Sequence, residues 1–116
     1  MAVYSIDEIK KMIEPIAAEY QIPAIYLYGS YARGDATDKS DIDVLIDRTN
    51  SKVKSLFDMG GLYEELAELF NKKVDILTTY ALLEHEKSED DYYKSLLNNI
   101  MKERILIYEQ QRYTNH

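Results

Sequence analysis

Three aspartates occupy positions where a β-strand normally carries apolar side chains. Asp41 and Asp43 lie in the stretch DIDVLID, and Asp75 lies in VDIL. Aspartate is among the poorest strand formers, so its placement there needs a chemical reason. Because strand side chains alternate between faces, Asp41 and Asp43 share one face. If the strand that carries Asp75 pairs alongside in matching register, three carboxylates converge.

Carboxylates that converge in this way would repel one another unless a divalent cation neutralised them. Ligation by oxygen alone suits Mg²⁺ or Mn²⁺. We therefore predict a metal site at Asp41, Asp43 and Asp75. The alternative is that each aspartate is solvated or pairs with a lysine such as Lys39 or Lys73.

A glycine and a serine follow the preceding predicted strand. Gly29 lets a ligand approach the backbone closely, and the Ser30 hydroxyl with the N–H groups of a helix start can hold phosphate oxygens. An ordinary turn with a helix cap is the alternative. Arg33 can contact a phosphate or pair with Asp35 or Asp38.

Two tyrosines flank this turn. Tyr28 and Tyr31 could stack on a base or line an acceptor site, but burial preferences favour packing in the core.

The composition of the chain excludes several classes of function for these residues. The chain has 116 residues, which fits one domain over residues 1–116. Its net charge of −7 disfavours generic binding to nucleic acid, and the absence of cysteine excludes thiolate sites. No stretch reads as a signal peptide or a membrane span, so a cytoplasmic location is expected.

The elements that must position the site are read from apolar spacing and turn residues. A mixture of helices and strands predicts an α/β (α+β) fold, a small mixed sheet of about three strands flanked by about four helices. Pro15 predicts a kink or break in the first helix, and Gly60-Gly61 can split the second. The predicted helices are 6–20, 52–70, a turn at 79–83 and a last helix that begins at Ser88 and buries residues as far as Tyr108; the predicted strands are 22–28, 41–47 and 73–78.

The stretch YLYGSYARGDATDKSDIDVLID is more specific than its parts. It resembles the nucleotidyltransferase superfamily typified by DNA polymerase β, whose signature is Gly-Ser, about ten residues, then Asp-x-Asp between apolar residues. Gly29-Ser30 and Asp41-Ile42-Asp43 match this signature, and Asp75 matches the expected third carboxylate. The elements Ala32-Arg33-Gly34 and Ser40-Asp41 look like those of the minimal nucleotidyltransferases encoded beside HEPN-domain toxins. The resemblance covers nearly the whole chain, since residues 103–109 look like that branch's last helix.

The resemblance implies Mg²⁺-dependent transfer of AMP from ATP to a hydroxyl, with release of pyrophosphate. Asp41 and Asp43 would bridge two metal ions, Asp75 would hold the catalytic one and help deprotonate the acceptor, and Gly29 and Ser30 would fix the β and γ phosphates. A polymerase acting on DNA is disfavoured by the acidic charge and the lack of a template-binding domain.

The minimal branch implies an antitoxin that adenylylates a tyrosine of a HEPN-domain RNase toxin, its partner in a complex. The alternatives are an antitoxin that masks its toxin without catalysis, and a transferase whose acceptor is a small molecule. Intact Gly29, Ser30, Asp41, Asp43 and Asp75 favour the active enzyme.

Overall fold

The computed structural model describes residues 3–86 and 89–111, and in these ranges the chain forms five helices and four strands. The helices are α1 (Ile6–Glu19), α2 (Ser30–Arg33), α3 (Leu56–Phe70), α4 (Thr79–Glu86) and α5 (Asp91–Glu103). The strands are β1 (Ala24–Tyr28), β2 (Ile42–Asp47), β3 (Val74–Thr78) and β4 (Ile105–Glu109). The predicted α/β class is confirmed, with one more strand and one more helix than expected.

One mixed sheet contains all the described strands, in the order β3-β2-β1-β4. β2 and β3 are parallel, with α3 in the crossover between them, whereas β1 is antiparallel to both β2 and β4. These directions bring the end of β1 and the starts of β2, β3 and β4 to the same edge of the sheet. Residues far apart in the sequence can therefore meet at that edge.

The two faces of the sheet are packed differently. One face carries the main core, in which α1 and α3 cover the inward residues of the strands. The other face carries a smaller cluster of Leu45, Leu82 and Ile100, from β2, α4 and α5. Asp43 shares the face of Leu45 because the two residues are separated by two along β2. The main core contains Ile9, Ile13, Ile25, Leu27, Ile42, Val44, Leu62, Leu66, Phe70 and Val74, all nearly inaccessible to solvent.

The two expected interruptions do not break their helices. α1 continues through Pro15, and α3 continues through Gly60 and Gly61. Each helix buries a full apolar stripe against the sheet, and packing of this kind outweighs the local cost of one proline or two glycines. α3 begins at Leu56, later than predicted, because the Ser55 side chain caps it.

The predicted last helix is wrong beyond Glu103. Helical spacing of apolar residues continues in the sequence to Ile105 and Tyr108, yet α5 ends and the chain becomes extended at Arg104 (φ −61°, ψ 143°). Residues 105–109 form β4, which pairs with β1 and buries Ile107. This pairing satisfies the backbone groups of β1 that would otherwise form an open sheet edge, a gain that a longer helix would not give.

The start of α5 also differs from the prediction. Its N-cap is Asp90, whose side chain accepts a hydrogen bond from the Tyr92 N–H at 2.9 Å. The predicted cap, Ser88, lies outside the described residues. Of the described helices, none is long and apolar enough to span a membrane.

Candidate active site

Asp43 and Asp75 lie opposite each other in the parallel pair of β2 and β3. This register confirms that the Asp75 strand runs beside the Asp43 strand in phase. Burial, a hydrogen bond with the Asp75 side chain and the negative charge of Asp75 raise the pKa of Asp43 from 3.8 to about 7. Two carboxyl groups held so close favour either a shared proton or a bound cation.

Asp41 stands at the entrance to β2, two residues before Asp43, and its charge adds to the rise in the Asp43 pKa. Its carboxylate lies 3.8 Å from the Lys73 ammonium group, both of them partly exposed to solvent. Among the side chains that the structure describes, no three from His, Cys, Asp or Glu are placed to hold one metal ion in this conformation. The structure therefore brings Asp43 and Asp75 together and leaves Asp41 beside a lysine, one of the pairings that the sequence left open.

Gly29 lies directly against Asp43. Tyr28, the last residue of β1, is paired with Asp43, so the next residue turns over the carboxylate. A Cβ atom at Gly29 would lie 2.2 Å from Asp43 Oδ2, and the Gly29 backbone has φ +74° and ψ −153°. Both the contact and the backbone angles require glycine. Its role here includes making room for a neighbouring carboxylate, which sequence analysis did not foresee.

The turn at Gly29 leads into α2, and a helix start was expected at this turn. Ser30 is its first residue and is half-buried, and the Gly29 carbonyl accepts a hydrogen bond from the Arg33 N–H at 3.0 Å. The Arg33 side chain is half-exposed and lies 3.4 Å from Asp35 Oδ2, one of its two predicted partners. The positive charge of Arg33 offsets part of the rise in the Asp43 pKa.

Glu103 is a site residue that sequence analysis missed. The Gly29 N–H donates to Glu103 Oε1 at 3.1 Å, and Arg33 Nη1 lies 3.3 Å from both carboxylate oxygens of Glu103. No short motif links residues 70 or more apart in the chain. Recognising Ile105-Leu106-Ile107-Tyr108 as a strand beside β1 would have brought Glu103 to this edge of the sheet.

The two flanking tyrosines differ in position. Tyr31 is 4% exposed and belongs to the main core, as predicted. Tyr28 packs against the smaller cluster on the carboxylate face. Burial and the charges of Asp43 and Asp75 raise the Tyr28 pKa to about 12, which keeps its hydroxyl protonated at neutral pH.

Comparisons with known proteins identify the family of the chain. The family described as "Polymerase beta, Nucleotidyltransferase" matches residues 10–113. A Methanocaldococcus jannaschii protein named "Putative protein adenylyltransferase MJ0435" is 40% identical over 74 residues, which are 64% of this chain and 77% of that protein. The protein adenylyltransferase MntA of Thermococcus cleftensis is 29% identical over 86 residues, 71% of this chain and 85% of that one.

The fold has solved counterparts. The structure described as "Crystal structure of the toxin-antitoxin with AMP-PNP" superimposes with a TM-score of 0.62 at 18% identity, over 88% of this chain and 74% of that one. At this identity the likeness is one of fold. The family match over residues 10–113 shows that the chain belongs to the polymerase β nucleotidyltransferase family.

Proposed function

We propose that this nucleotidyltransferase moves AMP from ATP to a tyrosine hydroxyl of a HEPN-domain RNase toxin and thereby acts as the toxin's antitoxin. The main observation in support of nucleotidyl transfer is the contact of Gly29 with Asp43. It sets a turn suited to phosphate beside a pair of carboxylates, which are the two parts that nucleotidyl transfer requires.

The carboxylates fit a magnesium site. Asp43 and Asp75 share a hydrogen bond and repel each other when both are ionised, so a cation would relieve a repulsion that the fold imposes. Asp43 and Asp75 would hold Mg²⁺, joined by Asp41 once its carboxylate leaves Lys73. Bound Mg²⁺ supplies neutralisation of triphosphate charge and a bridge between nucleotide and enzyme.

The chain's own residues perform the remaining work. Ser30 and Arg33 bind the β and γ phosphates, and the glycine at 29 keeps the α-phosphorus near Asp43. The acceptor oxygen attacks the α-phosphorus, the bond from the α-phosphorus to the β-phosphate oxygen breaks, and pyrophosphate leaves. Asp75 is the exposed member of the pair and accepts the proton of the acceptor hydroxyl.

A protein acceptor is supported by the relatives. The Methanocaldococcus and Thermococcus relatives carry protein adenylyltransferase in their names, and the structural neighbour with AMP-PNP is a toxin–antitoxin complex. AMP-PNP is an analogue of ATP, which supports ATP as the donor. The negative charge of the chain argues against a nucleic-acid acceptor.

The test is an intact-mass measurement on the cognate HEPN-domain protein after incubation with this chain, ATP and Mg²⁺. The wild-type chain is expected to add one or more AMP units to a tyrosine. The Asp41→Asn, Asp43→Asn double variant is expected to add none while still folding and binding the partner. Asp47→Asn, at the far end of β2, is the matched control and is expected to retain transfer.

Two results would replace this function. Neutralisation of the toxin without any gain of mass, by a folded complex, would indicate an antitoxin that works by masking. Consumption of ATP with no gain of mass on the protein, together with AMP transfer to an added small molecule, would indicate a small-molecule transferase. Modification by the double variant would show that the assigned carboxylates are wrong.

A further inference from the structure

Glu103 contacts both ends of the turn from Gly29 to Arg33, although it lies 70 or more residues away in the sequence. It is the last residue of α5, and the register of β4 with β1, in which Ile105 lies opposite Leu27, carries it to the level of Gly29. Its Oε1 accepts the Gly29 N–H at 3.1 Å, and both of its oxygens lie 3.3 Å from Arg33 Nη1. One carboxylate thus contacts both the backbone and the cation of the turn.

This carboxylate stands in an unfavourable place for an anion. The C-terminal end of a helix has a partial negative charge, which disfavours glutamate there. The Glu103 side chain is only 20% exposed, so water offsets little of that cost. The N–H of Gly29 and the guanidinium of Arg33 are the donors that compensate it. The placement is therefore tied to the turn rather than to helix stability.

We propose that Glu103 is a positioning residue for ATP binding, which fixes the Gly29 peptide and aims Arg33 at the β and γ phosphates. This inference rests on the proposed function and extends it to a residue outside the Gly-Ser and Asp-x-Asp elements. Glycine has access to many backbone conformations, so the Gly29 peptide needs an external partner to hold it in one orientation. Arg33 is otherwise a long, half-exposed side chain whose other partner is the exposed Asp35.

If Glu103 positions ATP, its removal should affect the KM for ATP more than kcat. Removing Glu103 loosens groups that hold the phosphates both before and during the reaction, so the KM for ATP rises and kcat changes less. We expect Glu103→Ala to raise the KM for ATP about tenfold, the loss typical of one hydrogen bond to a charged group. Glu103→Gln keeps an oxygen acceptor for the Gly29 N–H and is expected to recover most of that loss. Glu109→Ala, at the far end of β4, is the control and should change neither constant.

The orientation of Gly29 can be measured without any turnover. In a ¹H–¹⁵N spectrum, Glu103→Ala is expected to shift the Gly29 amide signal and to speed its hydrogen exchange, whereas Glu103→Gln and Glu109→Ala leave it close to wild type. An unchanged Gly29 amide in Glu103→Ala would overturn the proposal. If Glu103→Ala is too unstable, Glu103→Met keeps the length of the side chain without an acceptor for the Gly29 N–H, and it is expected to shift the Gly29 amide in the same way.

Failure of the inference and failure of the proposed function give different results. If wild type transfers AMP and Glu103→Ala binds ATP equally well, Glu103 is not a positioning residue. A lower KM in Glu103→Ala would show that Glu103 competes with phosphate for Arg33, which also overturns the proposal. If wild type neither binds AMP-PNP nor transfers AMP, the proposed function is at fault, and the Gly29 amide still reports whether Glu103 orders the turn.

Discussion

Asp43 and Asp75 face each other across the parallel strands β2 and β3, and their carboxyl groups share a hydrogen bond. The pair sits on the sheet face opposite the main core, the face that also carries the smaller apolar cluster of Leu45, Leu82 and Ile100. In the register of this pair, the second residue of β2 lies opposite the second residue of β3. The contact is therefore a consequence of strand order and not of any nearby sequence.

Asp43→Asn should separate catalysis from folding. The substitution removes one of two repelling charges and keeps the size of the side chain, so we expect stability at pH 8 to stay the same or rise. AMP transfer is expected to fall by about a hundredfold or more, because the variant loses a carboxylate that would hold the Mg²⁺ that neutralises the triphosphate. Thermal unfolding and intact mass of the partner measure the two effects. A variant that keeps full transfer would remove Asp43 from the mechanism.

The raised pKa of Asp43 predicts how stability depends on pH in the absence of metal. The carboxyl binds its proton with a pKa of about 7 when folded and near 3.8 when unfolded. Between these values the folded chain holds more protons, so this group's contribution to stability is present below pH 4 and is lost as the pH rises through 7. Urea unfolding of wild type should show a steeper loss from pH 5 to pH 8 than Asp43→Asn. Parallel profiles for the two proteins would contradict the assignment.

A divalent cation should reverse that loss. Above pH 7 Asp43 has lost its proton, and Mn²⁺ or Mg²⁺ at millimolar concentration would bind the folded chain and offset the repulsion that raises the Asp43 pKa. We expect the unfolding temperature to rise by a few degrees at pH 8 and by less at pH 5.5. Asp75→Asn provides the comparison, since it should abolish the rise at both pH values. An equal rise in that variant would place the cation elsewhere.

The carboxylates and the glycine turn are predictable from the sequence because each depends on a local pattern. Asp43 and Asp75 stand out as acids among β-branched residues, and Gly29 follows directly after a strand. The order of the strands came from the family resemblance, because periodicity predicts where strands lie but not which strands pair. Lys73 beside Asp41 was one of several partners that the sequence allowed, and side-chain geometry decided among them.

The C-terminal part shows where local pattern fails. Apolar residues at Ile100, Met101, Ile105 and Tyr108 fit a helix, and no turn residue separates them. The decision between helix and strand comes from β1, which lies far away in the sequence and needs a partner on its second edge. Because β4 was missed, so was Glu103, whose place at the site depends on that pairing.

Gly60→Ala tests the finding that α3 is continuous. Gly60 lies inside the helix, and an added Cβ would meet nothing within 4 Å. Alanine reduces the backbone freedom of the unfolded chain and should stabilise the protein by about 0.5–1 kcal/mol. Chemical denaturation measures the change, and AMP transfer should be unaffected. Destabilisation would mean that the helix breaks at this glycine, as the sequence had suggested.

Gly29→Ala and Gly34→Ala separate backbone strain from the contact with Asp43. Both glycines have positive φ, +74° and +87°, so both variants incur the cost of that conformation. At Gly34 an added Cβ meets nothing within 4 Å, and we expect a loss of about 1–2 kcal/mol with transfer retained. At Gly29 the Cβ would lie 2.2 Å from Asp43 Oδ2, so a loss of about 3 kcal/mol or more and no detectable transfer are expected.

A second-site change identifies the cause of the loss at Gly29. Asp43→Ala removes the carboxylate that the new Cβ would strike, so Gly29→Ala combined with Asp43→Ala should be more stable than Gly29→Ala alone. The double variant remains without transfer, because the carboxylate itself is gone. Denaturant unfolding of the two single variants and the double variant gives the coupling between the residues. Additive losses would show that Gly29 and Asp43 do not touch in solution, and would remove the contact on which the proposed nucleotide site is built.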